Sequence, residues 1–229
     1  AIALAVLAAL LTAAAVLVDR LSRNALMAGA ESSLTTISTL KVGQLSNWLT
    51  ERKGDLQAIA ESPLFAAHVD DWLRGGRRDA AGQRQLAGYL EAVRKTYGYE
   101  AIHLLDADSH AALISVGDRR PPPEQAGKLL ELLAESNLTG LLDFYEDGVH
   151  EHAGPRLGLM RMLRSPDGRR RLAAIVVEVD PATLIYPFLA QWPVPSDSAE
   201  TLLVRREEDQ AVYLSGLRFV RGAPLHYRI

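Results

Sequence analysis

Residues 156–179, RLGLMRMLRSPDGRRRLAAIVVEV, decide the fold of this chain. Two apolar-rich runs in this stretch, Arg156–Leu163 and Arg171–Val179, have the composition of strands in a sheet. Between them, Ser165-Pro166-Asp167-Gly168 supplies the proline, aspartate and glycine that favour a tight turn. The stretch therefore predicts two strands joined by a turn.

Three further strands are predicted on the N-terminal side of this stretch, after an amphipathic helix at Ala80–Tyr97. These strands are Tyr99–Leu105, Ala111–Val116 and Gly140–Tyr145. The first two flank the turn-forming residues Asp106–Ser109, and a run of prolines at 121–123 opens a helix that ends near Asn137. Five strands interrupted by one helix, after a long N-terminal helix, predict the α+β class.

The first segment of the chain predicts a membrane-spanning helix over residues 1–19. Ala1–Val18 carries no charge, and Thr12 is its only polar residue. A helix of this length spans roughly 27 Å, close to the ~30 Å of a bilayer core. A cleaved signal peptide or a buried core helix are the alternatives. Arg20 and Arg23 follow the segment, but they do not by themselves fix its orientation.

Residues 20–73 predict a long stalk helix, with a break at Ser62-Pro63 because proline favours the first turn of a new helix. Apolar residues recur along it at helical spacing. They are Leu34, Ile37, Leu45, Leu49, Leu56, Ile59 and Ala60. This stripe is explained either by packing against its own domain or by a parallel helix pair in a homodimer.

The composition excludes several classes of function. Hydrophobic residues make up 48% and charged residues 23% of the 229, which is typical of a globular protein. The net charge of −3 gives no basic field for nucleic acid. The absence of cysteine excludes disulfides, thiol catalysis and cysteine-ligated metals. No catalytic motif occurs, so we expect this segment not to be an enzyme and to need no cofactor.

The C-terminal part predicts the beginning of a second domain over residues 196–229. A short helix at Pro181–Leu189 is followed by the linker Gln191–Ser196, which is rich in proline. Thr201–Arg205 and Ala211–Leu214 then predict a hairpin that begins the second unit.

Three stretches carry a resemblance to a known family. Lys41–Asp55 contains the pattern W-x-x-E-R-x-x-D near the end of a helix. Tyr186–Leu189 with Trp192-Pro193, and Ala199–Arg206, have the residue types of a junction between two sensor modules. Together with the order of membrane span, long helix and sheet domain, these stretches resemble the double Cache sensor domains of bacterial receptors. Similar ectodomains occur in sensor histidine kinases and diguanylate cyclases.

The resemblance implies a domain organisation and a location. Residues 74–195 become a membrane-distal Cache module, a PAS-like antiparallel sheet, and residues 196–229 the start of a membrane-proximal one. The chain is then held in the bacterial inner membrane, with residues after about 20 in the periplasm. Binding of a small molecule to the concave face of the sheet is transmitted through the long helix, which also forms the dimer interface. A histidine kinase or diguanylate cyclase output domain lies beyond Ile229.

Six residues are predicted to bind the ligand. They are Arg161, Tyr145, His150, Met160, Tyr186 and Trp192. Strand alternation places Arg161 beside Leu157 and Leu159 on one face, where a guanidinium can hold a carboxylate through two hydrogen bonds. Alternatively, Arg161 extends from the sheet edge to water. His103 either faces the same pocket or is a structural histidine.

The segment His150-Glu151-His152 offers the nearest approach to a metal site. Alternation on a strand places both rings on one face, a geometry that can hold zinc or nickel. A polar loop explains the same residues, so no metal is predicted. Two other functions stay open: a dimerisation ectodomain that binds no ligand, and a metal-dependent hydrolase with ligands converging on these histidines.

Overall fold

The computed structural model describes residues 2–109, 111–117, 125–133, 138–146, 154–193 and 198–229. The chain forms two compact units, Ala1–Ser46 and Asn47–Ile229. The helices are α1 (Ile2–Ala60), α2 (Pro63–Arg74), α3 (Ala80–Tyr97), α4 (Gln125–Leu133) and α5 (Ile185–Ala190). The strands are β1 (Ala101–Asp106), β2 (Ala112–Val116), β3 (Thr139–Tyr145), β4 (Arg156–Arg164), β5 (Arg171–Val179), β6 (Val204–Glu207) and β7 (Gln210–Tyr213).

The first unit consists of one helical segment whose large apolar side chains are exposed. They include Leu10, Leu11, Val16, Leu17, Val18, Leu21, Leu26 and Met27. Within the part of the chain that the structure describes, no helix combines the length and the apolar character needed to cross a membrane. The membrane span predicted for residues 1–19 is therefore not confirmed.

The break between α1 and α2 is confirmed at Ser62-Pro63. The Ser62 hydroxyl accepts a hydrogen bond from the backbone N–H of Phe65 at 3.4 Å, and Pro63 is the first residue of α2. Of the apolar stripe, only the end nearest this break is buried, through Leu56, Ile59 and Ala60. Leu34 is 53% exposed, so packing against its own domain does not explain the whole stripe.

The five central strands form one antiparallel sheet in the order β2-β1-β5-β4-β3. The two strands at 156–179 are confirmed, and the turn between them contains Gly168 at φ 71°. β1 begins two residues later than predicted, because Gly98 ends α3 in the left-handed conformation and the N–H of Tyr99 still donates to the Arg94 carbonyl.

Helices cover both faces of this sheet. The α2–α3 face carries an apolar core with the end of α1, α2 and α3. Its central members are Leu56, Val69, Leu90, Leu104, Leu159, Ile175 and Val177. The α4 face carries a second core that includes Leu105, Leu130, Leu142, Tyr145, Met160 and Val176. Side chains on adjacent strand positions therefore lie on different faces, as the pleat of a strand requires.

Two predicted helices differ in their bounds. The helix predicted from residue 121 to Asn137 is observed as α4, and residues 121–124 and 134–137 lie outside the described residues. The helix predicted at Pro181–Leu189 begins instead at Ile185, because the Asp180 carboxylate accepts a hydrogen bond from the N–H of Ala182 at 2.8 Å and forms a turn there.

The C-terminal hairpin consists of β6 and β7, three residues beyond the predicted start of its first strand. Leu203 remains bonded across the hairpin, since its carbonyl accepts from the N–H of Leu214 at 2.8 Å. Arg205 of β6 contacts β3 through the Asp143 carboxylate at 2.9 Å and the Phe144 carbonyl at 3.3 Å. The hairpin belongs to the same compact unit as the sheet.

Replacing Leu90 by alanine tests the α2–α3 core. Leu90 is fully buried, so Leu90→Ala removes packing and leaves a cavity, and we expect a loss of about 2–5 kcal/mol in the free energy of unfolding. Leu132→Ala, at a position on α4 that is 77% exposed, is the matched control and changes it by less than about 0.5 kcal/mol. Urea unfolding measures the change in the free energy of unfolding for both variants. An equal change in the two would contradict the assignment of Leu90 to the core.

Candidate functional site

A row of buried polar side chains crosses the α4 face of the sheet. His103 lies on β1 between Ile102 and Leu104, and Glu178 lies on β5 between Val177 and Val179. Because neighbours in a strand point to opposite faces, both polar side chains share the face of the second core. The exposed fractions of His103 and Glu178 are 0% and 2%.

Hydrogen bonds connect this row across the sheet. The Tyr145 hydroxyl on β3 donates to Oε1 of Glu178 at 2.8 Å. Nδ1 of His103 lies 2.9 Å from the hydroxyl of Ser115 on edge strand β2. Nε2 of His103 lies 3.4 Å from the same Glu178 oxygen, which is within the range of an ion pair. The geometry of that contact does not make a hydrogen bond, and Nε2 has no hydrogen-bond partner among the described residues.

Arg156 on β4 adds a second charge to this face. It pairs with Tyr145 in the register of β3 and β4, and it is 3% exposed. Its Nη1 lies 3.2 Å from the carboxylate of Asp180, and its Nη2 lies 3.9 Å from that of Glu100. Its Nε has no hydrogen-bond partner within the described part of the chain. A buried guanidinium is thus balanced by carboxylates at the ends of the strands.

The arrangement combines charge with an apolar surface. Glu178 supplies acceptor oxygens, while His103 and Arg156 each have a buried ring or guanidinium nitrogen without a hydrogen-bond partner among the described residues. Met160 and Leu130 of the second core lie on the same face. A site of this composition can orient a small polar molecule through its hydrogen-bonding groups and bury its apolar part.

The structure brings two of the six predicted site residues together and separates the others. Tyr145 and Met160 share the α4 face. His103 also lies on the α4 face, beside Glu178. This position agrees with the prediction that His103 faces the same pocket as Tyr145 and Met160. His150 and the rest of the segment 150–152, for which a polar loop and a metal site were the two interpretations, lie outside the described residues. Among the residues that are described, no group of three or more histidine, aspartate or glutamate side chains can hold a metal ion.

Arg161 is the main correction to the predicted site. It lies on the α2–α3 face, opposite Met160, so the two residues cannot line one pocket. Its side chain is 6% exposed and does not extend to water. Its Nη2 donates to Oε1 of Glu61 at 2.5 Å, and its Nη1 donates to the hydroxyl of Thr139 at 3.1 Å.

Tyr186 and Trp192 lie in a third place, a cavity of about 370 Å³ between α5 and the segment at 199–218. The Tyr186 hydroxyl donates to the Leu214 carbonyl at 2.6 Å. Burial raises the pKa of Tyr186, and the negative charge of Asp180 raises it further, so this hydroxyl stays protonated as a donor. The two residues therefore belong to the junction with the C-terminal hairpin.

Glu178 is the residue that sequence reasoning missed. Glu178 is the one acidic residue in the apolar run of β5. When a strand is not at the edge of its sheet, a charged residue in such a run is buried in the core. That pattern was available in the sequence. The hydrogen-bond partner of Glu178 is Tyr145, which lies 33 residues earlier in the chain. No local sequence pattern predicts a contact between residues so far apart.

Comparison with known proteins finds similarity among solved structures. No family model matches the chain, and no curated protein is similar to it. Among solved structures, it is similar to a domain named as the extracellular part of a histidine kinase, vpHK1S-Z8, with 14% identity and a TM-score of 0.48. That match covers 67% of this chain and 58% of the other, so the chain spans less than two thirds of that domain.

Two further solved structures show the same level of similarity. One is the sensor domain of the histidine kinase DctB from V. cholerae, with 13% identity, a TM-score of 0.47 and coverage of 70% of this chain and 60% of the other. The other is the ligand-binding domain of the Pseudomonas fluorescens chemoreceptor CtaA in complex with L-serine, with 14% identity, a TM-score of 0.42 and coverage of 68% and 61%.

A double-mutant cycle tests the link between β3 and β5. Tyr145→Phe and Glu178→Gln each weaken the hydrogen bond, and we expect a coupling free energy of about 1 kcal/mol between them in urea unfolding. Glu51, exposed on α1, provides the control. Tyr145→Phe and Glu51→Gln are expected to be additive within about 0.5 kcal/mol. Additivity of the first pair contradicts the hydrogen-bonded row.

Proposed function

We propose that this chain is the sensing input region of a bacterial transmembrane receptor and that a small molecule binds on the α4 face of its sheet. One observation carries the proposal: the buried row of Tyr145, Glu178 and His103, which keeps Nε2 of His103 without a hydrogen-bond partner among the described residues. Buried polar groups are normally satisfied, and a row that is only partly satisfied is suited to receive a ligand.

The chemistry of the row indicates what such a ligand carries. The Glu178 carboxylate accepts hydrogen bonds and favours a donor such as an ammonium group. The Nε of Arg156, which has no hydrogen-bond partner in the described part of the chain, can donate to an acceptor on the same molecule. Met160 then contacts its apolar part. The ligand is therefore a small polar molecule with at least one donor and one acceptor.

In this proposal, α1 transmits the effect of ligand binding from the sheet towards the membrane. Leu56 and Ile59, near the end of α1, are buried in the core of the α2–α3 face, so a change in sheet packing acts directly on that end of the helix. A ligand shifts the equilibrium only if it binds the two packings with different affinity. A ligand that contacts β3, β5 and β1 together would do so if the relative positions of these strands differ between the two packings.

Anchoring and dimerisation are part of the same proposal. The large apolar side chains exposed between Leu10 and Met27 form a surface without a covering partner among the described residues. The proposal includes an inner-membrane anchor at this end of the chain, with the sheet domain in the periplasm. Leu34, exposed further along α1, supports a parallel homodimer through this helix. The output domain that receives the signal is of the histidine kinase or diguanylate cyclase type.

Thermal unfolding of the chain with a panel of small molecules tests ligand binding. The panel contains amino acids, amines, organic acids and divalent metal salts. A ligand at 100 times its Kd is expected to raise the Tm by roughly 5–10 °C, because only the folded state binds it. Glu178→Gln abolishes the shift, whereas Glu51→Gln retains it. A panel without any shift contradicts ligand sensing and favours the dimerisation ectodomain.

Introduced cysteines test the parallel helix pair, and the absence of native cysteine makes the result unambiguous. Leu34→Cys lies on the apolar stripe and is expected to form a disulfide-linked dimer on mild oxidation, since equivalent residues meet in a parallel pair. Thr36→Cys, two residues away on the opposite side of α1, is the control and stays monomeric on a non-reducing gel. Equal cross-linking of the two variants contradicts the proposed interface.

A further inference from the structure

A second polar cleft lies on the α2–α3 face, where α1 ends. Its cavity has a volume of about 210 Å³. The lining includes Glu61, Pro63, Arg161, Arg164, Ser165 and Gly168. It therefore contains two arginines and one glutamate, and it borders the first turn of α2. At about 30 Å³ per water, the cavity has room for a small ion with part of its hydration.

The two partners of the ion pair in this cleft differ strongly in burial. The Arg161 side chain is 6% exposed, whereas the Glu61 side chain is 53% exposed. Arg161 is held by β4 and by its hydrogen bond to Thr139, so its guanidinium has a fixed position. Glu61 follows the last residue of α1 and is held on its other side only by the Gln57 amide, at 3.2 Å, among the contacts of the described residues.

This asymmetry makes Glu61 the replaceable partner. An exposed carboxylate gains little from an ion pair, because water competes for it and its side chain loses freedom. The contact uses a single guanidinium nitrogen of Arg161, whereas a free oxyanion can accept from the planar fork at two points. A buried arginine cannot itself turn to water, so it keeps an anionic partner of some kind.

We propose that this cleft binds a small oxyanion, a carboxylate or a phosphate, which replaces Glu61 on Arg161. Arg164 lies in the same lining and adds positive charge. The Glu61 side chain is then released to solvent, at the residue where α1 ends and α2 is about to begin. The site lies on the opposite face of the sheet from the row of Glu178, and it does not depend on the function proposed for that row.

Isothermal titration calorimetry of the full 229-residue chain tests the proposal. The probes are sodium succinate and sodium phosphate, each compared with sodium chloride at equal ionic strength. We expect one-to-one binding of one or both oxyanions. Glu61→Gln is expected to bind about tenfold more tightly, because it removes the competing carboxylate and its charge. Arg161→Gln is expected to abolish binding.

The control removes an equal charge from elsewhere on the surface. Arg84 is exposed on α3, and Arg84→Gln is expected to leave the affinity unchanged. The proposal is overturned if neither probe binds the native chain or Glu61→Gln. It is also overturned if Glu61→Gln binds no more tightly than the native chain, or if a folded Arg161→Gln retains binding. Should Arg161→Gln fail to fold, the comparison of the native chain with Glu61→Gln decides the matter alone.

Discussion

The antiparallel pairing of β4 with β5 determines which side chains can meet anywhere else in this domain. Met160 opposite Val176 faces α4, and Arg161 opposite Ile175 faces α2 and α3. Since the side-chain period of a strand is two, a slip of one residue in this pairing would exchange the two faces completely. Both faces are buried, so such a slip would carry the buried charges Arg161 and Glu178 away from their polar partners.

Two charged systems consequently lie back to back on one sheet. On one face, Glu178 receives the hydroxyl of Tyr145, and on the other, Arg161 reaches Glu61 at the end of α1. Each system joins elements that are distant in the chain, and each holds a buried charge that depends on a polar partner. The two systems therefore lie on neighbouring strands, with Glu178 on β5 and Arg161 on β4.

The sequence predicted most of the fold, because the signals for its elements are local. The turn at Ser165–Gly168 and the helix break at Pro63 depend on residues that lie next to each other, and both predictions are confirmed. The site was predicted less well. Alternation groups Leu159 with Arg161 correctly, but it does not tell which helices cover that face, since this is decided by tertiary packing. Glu178 was overlooked although its charge is exceptional within its strand.

The order of the strands has a consequence for how the chain acquires this structure. On one side β1 pairs with β2, and on the other it pairs with β5, where Ala101 lies opposite Glu178. One edge of the β1–β2 hairpin therefore stays unpaired until β5, the last strand of this sheet in the chain, has been synthesised. Pairings between such distant residues slow folding and leave strand edges open to intermolecular association. Until β5 has been synthesised, the free edge of β1 is therefore able to pair with a strand of another chain.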